Sequence, residues 1–376
     1  MMKKIAGIIA ICVATWLVSG GVTFAQKAAD RPTLRILNCS QYIDVDEALP
    51  AELPIEQRSP TLREFMEQEN CHIEYVELDN DAALIGRFID LDGFYDLVMI
   101  PCEFSKSMLD FNGAMQIDAE LIPNLRHLDS ALSDASPDPH YKYLIPYQSG
   151  YTGLAFRKDL IGRDTLTWAD YFNPPADWKG RIGAYNSAVT MFLGALITDG
   201  QECATAASKD FEKAQIALER LVNPWKAFIS DDPDELRRKL LAGEIVVTPL
   251  YSCDAKAVLS ESVHTAFVLP PEGSEFYRDY FAIHRNSQQA LLAHKFINFL
   301  LEPQILGRIA AYFGSEAPSK EARAVSEGIS RPVVPPGTDE AGRPVQGMQI
   351  TYSLDPEIEA RWIEIIGVSS KASAYP

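Results

Sequence analysis

Apolar residues along this chain recur either at every second position in short runs or on one face of a 3.6-residue period. The order of these runs predicts an α/β architecture. Leu34 to Leu37 reads as a short strand ending in Asn38-Cys39-Ser40. Pro60 to Glu69 places Leu62, Phe65 and Met66 on one helical face, and His72 to Leu78 alternates as a strand. Asp81 to Asp90 is helical again, and Tyr95 to Ile100 is a buried strand stopped by Pro101. Strands separated by helices imply parallel pairing, and ligands of such lobes gather at the carboxyl ends of the strands. The segments Asn38–Tyr42 and Pro101–Ser105 are therefore the first candidates for a site.

Further along, Gly150 to Phe156 is an extended run suited to cross between two lobes. Ala188 to Leu196, Phe211 to Leu221 and Pro233 to Leu241 carry helical spacing, and Gly243 to Leu250 is a strand reaching Tyr251. His264 to Leu269 and Tyr280 to His284 read as strands flanking an acidic turn. Gln289 to Leu301 and Pro303 to Tyr312 form two helices with a break between them. Arg331 to Pro344 is rich in Pro and Gly and reads as loop, and Pro356 to Ile366 as a last helix.

The amino terminus changes the picture. Lys3 and Lys4 precede an apolar run from Ile5 to Val18, and small residues then lead to Thr23-Phe24-Ala25, the shape of a secretory signal peptide cut after Ala25. The run falls short of the roughly 18–20 residues that span a bilayer. Cys12 lies within it without a lipobox, which argues against a lipoprotein. The expected mature chain is exported, periplasmic or otherwise extracytoplasmic, and monomeric. With 376 residues, 47% hydrophobic and 23% charged, enough remains after cleavage for two lobes with separate cores. Net charge is −18, and losing Lys3 and Lys4 makes it −20. That balance repels nucleic acid and favours a cationic ligand.

Five cysteines remain after cleavage: Cys39, Cys71, Cys102, Cys203 and Cys253. An odd number leaves at least one thiol unpaired. No CxxC pair and no His/Cys spacing suggests a zinc site, so neither metal nor cofactor is expected. Cys39, Cys102 and Cys253 fall near the expected cleft. They read as small buried hydrophobes, with a Cys39–Cys102 disulfide as a second reading and a soft-metal thiolate site as a third. No G-x-S-x-G, HExxH or phosphate-binding glycine loop occurs, and His127, His140, His264, His284 and His294 are scattered. Enzymatic catalysis is not expected.

The order of segments resembles the periplasmic spermidine/putrescine-binding proteins of ABC transporters, from about Leu34 to Pro318. Asn38-Cys39-Ser40-Gln41-Tyr42-Ile43 resembles the family's Asn-Trp-Ser/Thr-acidic-Tyr-hydrophobic opening, and Tyr95-Asp96-Leu97-Val98 its YDLVVPS strand. Ile145-Pro146-Tyr147 matches its IPY segment, Trp168-Ala169-Asp170 with Trp178-Lys179-Gly180 its "SWADLW…YKG", and Gly243-Glu244-Ile245 through Asp254 its "GEV…W…D". Lys295 to Leu301 resembles "LINFLL", and Gly314 to Pro318 its Gly-Tyr-Pro-Thr-Pro turn.

The resemblance implies a type II periplasmic-binding-protein fold, in which two α/β lobes with a hinge close an inter-lobe cleft on a ligand. The expected division is residues 33–149 plus 279–320 for the first lobe and 150–278 plus 321–376 for the second. The implied function is capture of a polyamine or other small amine for an ABC transporter permease. Docking on a membrane sensor, or a non-amine solute, are the alternatives. Polyamine recognition calls for carboxylates at the ammonium groups and aromatic walls along the methylenes. The family positions place aromatic walls at Tyr42, Tyr251 and Tyr277, and at Phe104 with a register uncertain by one. They place acids at Asp254 and Asp279, and a small polar neighbour at Ser40.

The chain departs from the pattern too. Cys39 replaces a tryptophan wall, Gln41 an acid, and Ser149 an aromatic. The acid-rich helix start of the spermidine type is here Ser187-Ala188-Val189-Thr190, which removes two carboxylates. Those losses favour a shorter or singly charged amine over spermidine.

Overall fold

The structure is a computed structural model that describes residues 31–78, 81–90, 92–130, 136–198, 211–230, 232–330, 348–350 and 356–367. The expected signal peptide and the loop 331–344 lie outside these residues. Among the described residues no helix is long and apolar enough to cross a membrane.

Strand β1 (Thr33–Cys39) pairs in parallel with β2 (His72–Leu78) on one side and β3 (Leu97–Ile100) on the other. The helix Pro60–Glu69 makes the crossover from β1 to β2. Ser59 caps it by accepting from the Leu62 amide at 3.1 Å, Pro60 opens it, and Asn70 closes it in the left-handed region at φ 51°. Its Leu62 and Phe65 are fully buried, and Phe65 packs against Phe296 and Phe299 of the helix Ala290–Leu300. These contacts build the core of the first lobe.

Two long strands carry the chain between lobes. Strand β4 (Ile145–Arg157) follows, and β9 (Ser274–Ile283) lies antiparallel beside it, with Gln148 opposite Asp279 and Gly150 opposite Tyr277. At one end β9 pairs with β3 of the first lobe. At the other end β4 pairs with β7 (Val247–Tyr251) and β8 (Thr265–Val268) of the second. The parallel pair β5 (Gly183–Tyr185) and β6 (Phe228–Ser230) joins β7 through a bridge from Ile182 to Val247. The second lobe buries one face of its strands under Trp168, Phe192 and Trp362, and the other under Leu236, Leu240 and Val258.

Three features differ from the sequence-based expectation. Strand β9 begins at Ser274, where an acidic turn was expected, because both of its faces are buried and its charged residues lie inside. The helices Ser252–Glu261 and Lys320–Ile329 were not anticipated. The latter packs on the helix Pro303–Phe313 and buries Ala322 in the same core as Leu62 and Phe65. The close approach of the two helices requires Gly307, since a Cβ there would lie 2.5 Å from the Ala322 carbonyl oxygen.

Candidate functional site

The carboxyl ends of β5, β6 and β7 meet the crossing strands at one place, and helices Ala188–Thr198, Pro233–Ala242 and Ser252–Glu261 start beside it. From the first lobe, β1 ends at Cys39 and turns through Gln41 at φ 66°, whose amide donates to Glu77 Oε1 at 2.9 Å. The turn aims Tyr42 inward. Its ring lies 4.4 Å from Phe313 and 6.4 Å from Tyr147, and its carbonyl accepts a bond from the Tyr147 hydroxyl.

Asp279 is the point of convergence. Its side chain is 4% exposed, and Oδ2 accepts from the Tyr42 hydroxyl at 2.7 Å while Oδ1 accepts from the Cys102 amide at 3.0 Å. Three separate stretches of chain thus meet at one carboxylate: the turn after β1, the start of the segment after β3, and the middle of β9.

On the second lobe's side, Tyr251 stands edge-on to Tyr277 at 5.3 Å and to Tyr185 at 5.2 Å. Tyr277 in turn lies 3.8 Å by its hydroxyl from Cys253 Sγ. Burial raises the pKa of the Tyr42, Tyr251 and Tyr277 hydroxyls well above the usual phenol range, and nearby carboxylates add to it, so all three remain neutral.

Asp254 occupies the first turn of Ser252–Glu261. Burial, followed by repulsion from Asp234 and Asp232 that Arg237 only partly offsets, raises its pKa to about 7. Asp254 and Asp279 do not adjoin. Tyr277 feels the charge of both.

Of the remaining expected residues, Phe104 is half-buried and packs on the first lobe's core, and Ser40 is half-buried in the turn before Tyr42. Cys39, Cys102 and Cys253 are thiols, which corrects the reading of a Cys39–Cys102 disulfide. Cys102 instead spends its amide on Asp279, and burial pushes its thiol well above the usual range.

Two carboxylates were missed. Glu275 is 5% exposed, and its Oε2 accepts from the Thr152 hydroxyl at 2.7 Å and the Thr190 hydroxyl at 3.2 Å. Glu103, next to the expected Phe104, acts electrostatically on both Cys102 and Tyr251. The signal for Glu275 was present in the sequence: Glu275, Tyr277 and Asp279 alternate at period two and share one strand face. Reading the stretch between Leu269 and Tyr280 as an acidic turn hid it.

Gly150 provides the room that Tyr277 fills. A Cβ at position 150 would lie 2.3 Å from the Tyr277 hydroxyl oxygen and 2.5 Å from Cζ. Gly150→Ala is expected to push the phenol out of its place by more than an ångström, visible in a crystal structure. It should lower stability by about 1–3 kcal/mol in denaturant unfolding. An unmoved ring with unchanged stability would show that this contact is not restrictive.

The chain is also similar to known proteins over most of its length. A spermidine/putrescine-binding periplasmic protein of Salmonella typhimurium is 28% identical over 302 residues, covering 80% of this chain and 81% of the relative. A putrescine/cadaverine-binding protein of Pseudomonas aeruginosa is 23% identical over 333 residues, 86% of each. The solved structure of the Tp0655 (TpPotD) lipoprotein of Treponema pallidum superposes with a TM-score of 0.72 at 21% identity. It covers 89% of this chain and 99% of its own. At that identity the superposition shows the fold alone, and the fold is the two-lobed periplasmic-binding type. The model of the family described as bacterial extracellular solute-binding protein matches residues 94–333. That match takes in more than half of the sequence, and the chain belongs to the bacterial extracellular solute-binding protein family.

Proposed function

We propose that this protein captures a small cationic amine of the polyamine class outside the cytoplasm and presents it to an ABC transporter permease, without chemical change to the ligand. The observation that carries the reading is Asp279, a carboxylate almost removed from water and held between Tyr42 and Cys102. A buried carboxylate flanked by neutral tyrosine rings suits an ammonium with methylenes attached. The ring faces take the alkyl chain and part of the charge, and the carboxylate takes the ammonium hydrogens. The relatives named for spermidine, putrescine and cadaverine support the same class.

Asp254 makes the reading testable by pH. In the folded protein without ligand its pKa is about 7, above the usual carboxylate value. The native state therefore retains a proton that the unfolded chain releases, and this group's contribution to stability declines as pH rises from about 4 to 7. A cation bound along Tyr277 favours the ionised form, so binding expels a proton. Affinity then rises with pH through 7 and levels above it, while the ligand, with amine pKa near that of lysine, stays charged throughout.

The test is calorimetric titration with putrescine at pH 6, 7 and 8 in buffers of different ionisation enthalpy. Binding about tenfold tighter at pH 8 than at pH 6 is expected, with net proton release near pH 7, both removed by Asp254→Asn. Failure of putrescine, cadaverine and spermidine all to bind would discard the amine assignment. Binding indifferent to pH would remove Asp254 from the site.

A further inference from the structure

The amino ends of β1 and β2, at the opposite edge of the sheet from Cys39 and Tyr42, carry a second concave surface. Thr33 pairs with His72 in the ladder, and the His72 amide donates to the Pro32 carbonyl at 2.9 Å. Arg31 and His72 are therefore neighbours at that edge. The helix Pro60–Glu69 ends beside them, with Arg63, Glu67 and the capping Asn70 at spacings of four and three on one face. Together with Met66 these residues line a cavity of about 380 Å³. Strand β1 is seven residues long, which places the cavity roughly 20 Å from the turn that presents Tyr42.

The cavity runs against the charge of the chain. Net charge is −18, yet Arg31, Arg63 and His72 line it against the single acid Glu67. The adjacent Glu69 is already engaged by Lys295 at 2.5 Å. Among the described residues neither Arg31 nor Arg63 makes an ion pair, although Glu67 lies four residues on from Arg63. Arg63 Nε is shielded from solvent and has no hydrogen-bond acceptor. A tetrahedral oxyanion completes such an arrangement. One guanidinium presents two parallel N–H donors to two of its oxygens, and a second guanidinium takes the others.

We propose that this cavity is a binding site for a phosphate group, held between Arg31 and Arg63 with His72 as a third donor. Its volume is at the lower end of those that hold small molecules, which suits a phosphate ester with Met66 against its carbon atoms. A phospholipid headgroup carries the same chemistry, so dissolved and membrane-borne phosphate form separate arms of the test. The site is remote from Asp279 and does not depend on the amine-binding reading.

The experiment is calorimetric titration of the full chain with inorganic phosphate, glycerol 3-phosphate and acetate in dilute buffer, for the natural protein, Arg63→Gln and Arg31→Gln. Co-sedimentation with vesicles of phosphatidylcholine, with and without phosphatidylglycerol, is the second arm. Glycerol 3-phosphate is expected to bind at least tenfold more tightly than acetate. Each variant is expected to lose about tenfold, the low end for a charge-assisted hydrogen bond because the cavity opens to solvent. Arg31 is exposed, so its replacement reads binding without disturbing the fold, and melting curves check Arg63→Gln. Binding of the dissolved phosphates alone supports the site with a soluble ligand. Binding to phosphatidylglycerol vesicles, lost in both variants, supports it with a headgroup. Phosphate affinity unchanged in both variants places the anion elsewhere and overturns the site. Acetate bound as tightly as glycerol 3-phosphate overturns the phosphate assignment, and no binding in either arm overturns the proposal outright.

Discussion

Asp279→Ala is expected to abolish the rise in melting temperature that putrescine gives the natural protein, and to weaken its affinity about thirty- to several-thousandfold. The magnitude follows from removing one partner of a desolvated, hydrogen-bonded charge pair, which costs about 2–5 kcal/mol of binding. Two donors converge on this carboxylate from the first lobe, the Tyr42 hydroxyl at 2.7 Å and the Cys102 amide at 3.0 Å. Alanine leaves both without their acceptor and opens a small void, so it should also lower stability without ligand by about 1–3 kcal/mol. Asp279→Asn separates the two effects. It retains the volume and one oxygen for a donor but carries no charge, so stability should be nearly restored while amine binding stays lost. Thermal shift and calorimetry on both variants check this. A putrescine shift surviving in Asp279→Asn would mean that the charge of Asp279 is not what holds the ligand.

What the sequence made legible here was governed by periodicity and by linear order. Helix Pro60–Glu69 and strand β2 have the boundaries expected of them, because each alternates between water and core and carries its own punctuation at Ser59, Pro60 and Asn70. Tyr42, Tyr277 and Asp279 stand out in the sequence because they follow strand ends or occupy positions that the resemblance marks. Six of the ten residues of strand β9 were not read as strand, because its alternation is not apolar against polar. All ten of its residues are buried, including Glu275, Arg278 and Asp279, and charged residues in sequence look like a solvated turn.

Glu103 was missed for a different reason. The segment Pro101–Ser105 was expected at the cleft, but a one-residue register decides whether a ring or a carboxylate faces inward, and no local pattern fixes that register. The convergence of Glu275 with Thr190 is tertiary throughout: 85 residues separate them, and nothing near either one announces the other.

The loop that presents Tyr42 depends on a second buried charge, and Arg308→Met is expected to expose this dependence. Asp44, two residues after Tyr42, is 3% exposed and accepts from Arg308 Nε at 2.6 Å and from the Ser59 hydroxyl at 3.2 Å. Arg308 reaches it from the helix Pro303–Phe313 and also binds the Thr61 hydroxyl at 2.8 Å and Glu64. Its guanidinium therefore ties the turn after β1, the start of helix Pro60–Glu69 and the helix carrying Phe313 into one unit. Removing it leaves a carboxylate buried without its cation, and the expected loss is about 3 kcal/mol. That is the low end for breaking a buried pair, because the Glu64 side of the network is open to solvent. Arg308→Met combined with Asp44→Asn removes both charges and should recover most of the loss, since a neutral pair of similar volume carries no unpaired charge. Denaturant unfolding of the two single variants and the double variant measures the coupling. The same cycle read by putrescine affinity tests the link to function: Arg308→Met should weaken binding through displacement of Tyr42 although Arg308 touches no part of the cleft. Additive losses in the double variant would show that Asp44 and Arg308 act independently and that Tyr42 is held by its own contacts with Tyr147 and Phe313.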